Sequence, residues 1–172
     1  VLIRYTLVEA HSPTILRLKP FLAFRNVHEL SKENAVANAD MHEVENGRAN
    51  RMYSAFPELF MQCSKKVEYT HAPTWYKDIE YYKEQERGFE YKEDQLVPGW
   101  FEMPMKKGES VIFSAGISEI NTKTLKNLWK KELDRRTARN DMFGCLKTAA
   151  SQLYKREGDK CYLLAGYPWF KA

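Results

Sequence analysis

Cysteine is scarce and unpatterned in this sequence: Cys63, Cys145 and Cys161 are 3 in number, widely spaced, and never form a CxxC pair. An odd, scattered set excludes a disulfide framework and offers no zinc-ligand spacing. Such usage predicts a reducing, cytoplasmic setting. Histidine is equally thin, because His11, His28, His42 and His71 make no HxH or HxxxH pair, so neither a metal nor a cofactor is expected. There is no GxSxG turn, no P-loop and no dinucleotide-binding glycine pattern. No catalytic residue is assigned. Long apolar runs are missing too: the longest, Tyr162 to Phe170, is interrupted by Gly166 and Pro168 and falls well short of the roughly 20 residues that span a bilayer. The opening VLIRYTLVEA lacks the basic start, apolar core and small-residue cleavage site of a signal peptide. It starts at Val1 with a strand already under way, which predicts a piece of something longer.

What is present suits one soluble globular domain with a full core. Of 172 residues, 44% are hydrophobic, 13% aromatic and 29% charged, and the mean hydropathy is -0.60. Charge is divided unevenly along the chain. Residues 1–120 carry 15 Lys+Arg against 18 Asp+Glu, a net -3, whereas residues 121–172 carry 12 against 5, a net +7. That asymmetry fits either a polyanion-binding patch or a basic helix docking on an acidic neighbour.

Short runs rich in β-branched and aromatic residues, divided by turn formers, fill the chain to about residue 118 and predict an all-β region. Strands are expected over Leu2–Val8, Thr14–Arg25 with an irregularity at Pro20, Met52–Ala55, Leu59–Cys63, Lys66–Thr70 and Ser110–Ile117. The polar stretch Ser31–Asn50 reads as a long excursion with room for one helical turn, and Trp75–Tyr91 fits strand and helix equally. Pro98-Gly99 predicts a turn. From Asn121 the period changes: Leu125, Leu128, Trp129 and Leu133 make the stripe of a capped amphipathic helix that must be buried somewhere. Asp141 caps a second helix bearing Phe143, Leu146, Ala149, Ala150, Leu153 and Tyr154, with Gly158 closing it.

Carboxylates crowd between Asp78 and Asp94 among Tyr76, Tyr81, Tyr82, Phe89 and Tyr91. Rings beside acids suit sugars, whose CH faces stack while their hydroxyls bond; the plainer reading has tyrosines packing a sheet while the acids face water. Arg87-Gly88 followed by Glu93-Asp94 is more specific and predicts an arginine-carboxylate bridge that fixes a loop. Lys123, Lys126, Lys130, Lys131, Arg135, Arg136 and Arg139 allow a nucleic-acid reading. Glu132 and Asp134 among them favour a solvated or domain-bridging helix.

The blocks VLIRYTLVEA, LRLKPFLAFRNVHEL, WYKDIEYYKEQERGFEYKEDQLVPGWFEM and LLAGYPWF, in that order, resemble the N-terminal region of bacterial and archaeal-type glycogen debranching enzymes, the amylo-α-1,6-glucosidases. The resemblance implies a mainly β fold, a β-sandwich of the supersandwich type followed by two linker helices and then an (α/α)6 catalytic barrel. It implies a sandwich over residues 1–119, incomplete at its start, a helical linker over 120–158, and the start of a truncated barrel over 159–172. In the family the AGYPWF block leads into a Trp-Gly-Arg-Asp segment at the active-site side, and this sequence ends before it. The family's acid and base therefore have no matching positions here. Tyr167 and Trp169 are the candidates for contact with sugar, with packing at the barrel mouth as the other reading. The implied partners are the downstream barrel and glycogen or a maltooligosaccharide, with neither nucleic acid nor membrane. A free-standing carbohydrate-binding module is the alternative, and a basic nucleic-acid-binding protein a further one.

Overall fold

Alternation along the strands sets the architecture: in β2 (Thr14–Leu18) Leu16 and Leu18 turn inward while Ile15 and Arg17 face out. The computed structural model describes residues 1–136 and 140–164. The chain divides into two compact units, Val1–Lys126 and Asn127–Ala172.

In the first unit β1 (Leu2–Thr6), β3 (His42–Val44), β4 (Gly47–Asn50), β5 (Leu59–Cys63) and β8 (Ser110–Gly116) form a five-stranded antiparallel sheet, ordered β1-β8-β5-β4-β3. A three-stranded sheet, β2-β7-β6, is built on the long strands β6 (Glu68–Glu80) and β7 (Lys92–Met105), with the short helix α1 (Tyr82–Glu86) between them. The two sheets share one core, as the resemblance implied. Phe101, Met103 and Met105 of β7 meet Met61 and Cys63 of β5 and Val111 of β8. The Phe101 ring lies 5.9 Å from that of Phe113 across the sandwich. Burial pushes the Cys63 thiol up to about 12, so it serves as a small hydrophobe and not as a nucleophile.

Pro98-Gly99 is not a turn but lies inside β7. Opposite it, β6 bulges between His71 and Thr74 at Ala72-Pro73, so the missing proline N–H groups fall where the ladder is already interrupted. Gly99 has φ of 155°, and a Cβ there would lie 2.0 Å from the Thr70 carbonyl oxygen. No larger residue fits that approach. The core positions change parity across this irregularity, from Phe101, Met103 and Met105 to Leu96.

The stretch Ser31–Asn50 contains the hairpin β3–β4, whose turn at Glu45-Asn46 places Asn46 at φ of 50°, in place of the long excursion expected. Conversely, Met52–Ala55 forms no strand. The strand expected to continue to Arg25 ends at Leu18, leaving only an isolated bridge from Leu22 to Leu96. Buried Gln62 ties β5 to the turn before β4 and to Ile120 after β8. Its amide donates to the Glu45 and Ile120 carbonyls at 3.1 and 2.9 Å and accepts from the Ile120 N–H at 2.9 Å.

A 3-10 turn, Thr122–Thr124, capped by the Asn121 side chain, leads into α2 (Leu125–Arg135). Leu125 is buried and Trp129 half-buried, but Leu128 and Leu133 remain 40% and 50% exposed, so the expected stripe is covered only in part. In the second unit Asp141 caps α3 (Met142–Ser151) by accepting from the Gly144 N–H at 2.6 Å. Gly158 does not close that helix. The backbone after Ser151 is taken by a hairpin, β9 (Tyr154–Glu157) with β10 (Lys160–Leu163), and Gly158 turns it at φ of 58°.

Candidate functional site

The start of β7 puts two acids side by side where a loop crosses the sheet. Glu93 is 0% exposed, a position that an ionised carboxylate holds only if its lone pairs are filled. They are filled on both oxygens. Oε1 accepts from Arg25 Nε and from Ser31 N and Oγ at 3.1 and 2.9 Å. Oε2 accepts from Tyr81 Oη, from Arg25 Nη2 at 3.2 Å and from Gln95 Nε2 at 3.1 Å. Burial by itself would raise the Glu93 carboxyl; the bonds from Arg25, Tyr81 and Ser31 outweigh it and hold the group at about 2. Burial, and next the bond to Glu93, push the Tyr81 hydroxyl up.

Asp94 faces a second irregularity of β6, between Tyr76 and Ile79, where Asp78 takes φ of 53°. Its carboxylate accepts from the Glu33 N–H at 3.0 Å and the Asp78 N–H at 2.9 Å, with Lys32 Nζ 3.6 Å away. Those two backbone bonds, followed by the Lys32 charge, lower its carboxyl. The Asp94 N–H donates to the Ser31 carbonyl at 2.8 Å. The pair therefore clamps residues 25–33 to the sheet. Each acid has its oxygens engaged by fixed donors, so neither offers the free proton or free base that acid–base hydrolysis needs.

Arg87, the arginine that sequence spacing assigned to this bridge, is elsewhere. Its Nη1 donates to Glu84 Oε1 at 3.2 Å within α1, and its guanidinium lies 5.0 Å from the Phe89 ring centroid. Gly88, at φ of 76°, turns the chain after α1. The bridging arginine is Arg25, which lies 68 residues from Glu93 and within the PFLAFRNVH block. Arg25, Ser31 and Tyr81 were missed because no local spacing links them to Glu93. Arg87→Ala is accordingly expected to shift stability by less than about 1 kcal/mol, the usual range of an exposed pair. A denaturation midpoint lower by about 2 kcal/mol or more would return Arg87 to the clamp.

Beyond the clamp, the outer face of the three-stranded sheet carries rings and charges in register. Arg17 sits opposite Glu102, its Nη2 2.7 Å from Oε1, and its guanidinium is 5.0 Å from the Trp100 ring centroid. Trp100 Nε1 donates to Glu102 Oε2 at 3.1 Å. Lys19 Nζ lies 5.5 Å from the Trp100 ring and donates to Tyr76 Oη at 3.1 Å. Phe21 packs against Tyr76 with ring centroids 4.8 Å apart and planes tilted by 60°.

The family model of the glycogen debranching enzyme N-terminal region matches residues 1–112. The chain belongs to that family. No curated protein and no solved structure matches it. The glycogen debranching enzyme match runs from β1 into β8 and so contains the whole three-stranded sheet, the five-stranded sheet apart from the end of β8, the Glu93 clamp and the ring-bearing face. Tyr167 and Trp169 lie outside the described residues. Among the described residues no group of three or more His, Cys, Asp or Glu side chains is disposed to hold a metal ion, and no helix is long and apolar enough to cross a membrane.

Proposed function

We propose that this chain is the non-catalytic N-terminal part of a cytoplasmic glycogen debranching enzyme whose parent hydrolyses α-1,6-glucosidic branch points in glycogen-like glucans. The match of the N-terminal family model over residues 1–112 carries the reading. Within it, residues 1–119 serve as the sandwich, 120–158 as a helical linker and 159–172 as the lead into an (α/α)6 catalytic domain, the partner in the same parent chain. Arg87, Gly88, Glu93 and Asp94 shape the loops at one end of the sandwich. Tyr167 and Trp169 meet glycogen or a maltooligosaccharide at the barrel mouth. Neither nucleic acid nor membrane is a partner.

A second reading, a carbohydrate-binding module acting without a hydrolase, draws on the exposed rings of Phe21 and Tyr76. The two separate in a glucose-release assay on phosphorylase limit dextrin, run with the chain alone and with the longer protein encoded by its gene. The chain alone is expected to release none, because Glu93 and Asp94 have their oxygens engaged by fixed donors, while the longer protein releases glucose. Turnover by the repurified chain, or none by the longer protein, would overturn the proposal.

A further inference from the structure

We propose that the outer face of the β2-β7-β6 sheet, built from Phe21, Tyr76, Trp100, Lys19, Arg17 and Glu102, is an accessory binding platform for an α-glucan chain, separate from any hydrolytic centre. The inference rests on the family reading for its choice of glucan and on this face for its location. Three aromatic side chains stand on one surface, with Phe21 45% and Tyr76 37% exposed, although apolar rings of that size are usually covered. They are also held in place before any ligand arrives. Lys19 bonds Tyr76 and lies over both Tyr76 and Trp100, while the Arg17–Glu102 pair fixes the Trp100 edge through its Nε1 donor. Preordered rings spare the entropy cost that flexible side chains would incur on binding.

The chemistry of the surroundings selects a neutral polyhydroxyl ligand. A pyranose offers CH groups to a ring and hydroxyls to donors and acceptors within one residue's span, and this face presents Lys19 and Arg17 as donors with Glu102 as acceptor beside the rings. Its charges balance: Arg17 and Lys19 are matched by Glu102 and by Glu68, which lies opposite Glu102 in the register. A single-stranded nucleic acid also stacks on aromatics, but it draws its affinity from several uncompensated cations along the strand. A face without net charge favours the uncharged polymer.

The test uses the intact chain in native gels cast with glycogen, with maltoheptaose titration as a second measure. Retardation by glycogen is expected, unchanged by raising the salt from 50 to about 300 mM, because a neutral ligand releases no counterions. Trp100→Ala is expected to weaken binding about tenfold. Trp100 is half-buried, so Phe21→Ala, an exposed change that leaves the ladder intact, is the control for folding, and it should also lower affinity while keeping the parent melting temperature. Absence of retardation, unchanged affinity in folded Phe21→Ala and Trp100→Ala, or binding to a single-stranded oligonucleotide that vanishes with salt would each overturn the platform. Failure here with glucose release by the longer protein defeats the platform and leaves the family function standing; binding here without such release does the reverse.

Discussion

Arg25→Ala is expected to lower folding stability by about 3 to 5 kcal/mol at pH 7, the cost of leaving a buried carboxylate without its counter-charge. Glu93 has no solvent to turn to, being 0% exposed. The remaining donors, Ser31, Tyr81 and Gln95, satisfy part of its hydrogen-bonding capacity and none of its charge. Glu93→Gln is expected to cost less, about 1 to 3 kcal/mol, because it removes the buried charge and leaves Arg25, 22% exposed, able to reach water. The pH dependence separates this electrostatic role from simple packing. The folded carboxyl, at about 2, lies below its ordinary value of 4.5. The folded state therefore binds its proton later than the unfolded state does. Its stabilisation is present in full above about pH 5 and is lost as pH falls toward 2, amounting to about 3 kcal/mol. Urea denaturation at pH 7 and pH 3 should show the parent losing about 2 kcal/mol of that increment and Glu93→Gln losing much less. An Arg25→Ala midpoint equivalent to less than 1 kcal/mol, or equal acid sensitivity in parent and Glu93→Gln, would remove the clamp from the account of stability.

Phe101→Ala is expected to be as damaging, at about 3 to 5 kcal/mol, for a different reason. Phe101 is fully buried at the meeting of the two sheets, 5.1 Å from the Tyr69 ring on its own sheet and 5.9 Å from that of Phe113 on the other. Truncation opens a cavity walled by both sheets. Met61, Met103 and Met105 are flexible enough to fill some of it, which places the value within the range and not above it. Phe101→Leu should cost markedly less. A Phe101→Ala variant melting within about 2 °C of the parent would mean that the two sheets do not share this core.

The elements whose cause is local were legible in the sequence. Asn121 and Asp141 were read as helix caps, and each side chain accepts the backbone N–H expected of a cap. The β-rich runs Leu59–Cys63 and Ser110–Ile117 marked strands that the structure contains, the second ending one residue earlier at Gly116. The hairpin turned at Glu45-Asn46 was not read, because the polar residues around it concealed two short strands. Of the candidate site, the acids Glu93 and Asp94 were visible as a pair. Their partners were not.

Sequence by itself determined the strand-rich character of the chain to about residue 118, the positions of the caps, the scarcity of nucleophile and metal-ligand patterns, and the resemblance that the family match over residues 1–112 places on firm ground. Caps, periodicity and turn chemistry act over a few residues, so reading along the chain captures them. Tertiary structure alone decided that Pro98-Gly99 continues a strand and that Arg25, not Arg87, meets Glu93. The first depends on a bulge in β6, a neighbour some 25 residues away, that accepts a residue without an N–H. The second depends on folding a loop 68 residues distant across the sheet, while α1 and Gly88 turn the nearer arginine toward Glu84. Proximity along the chain favours a contact only when the backbone between the two residues does not point them apart, and that direction is set by the register of strands that pair from far away.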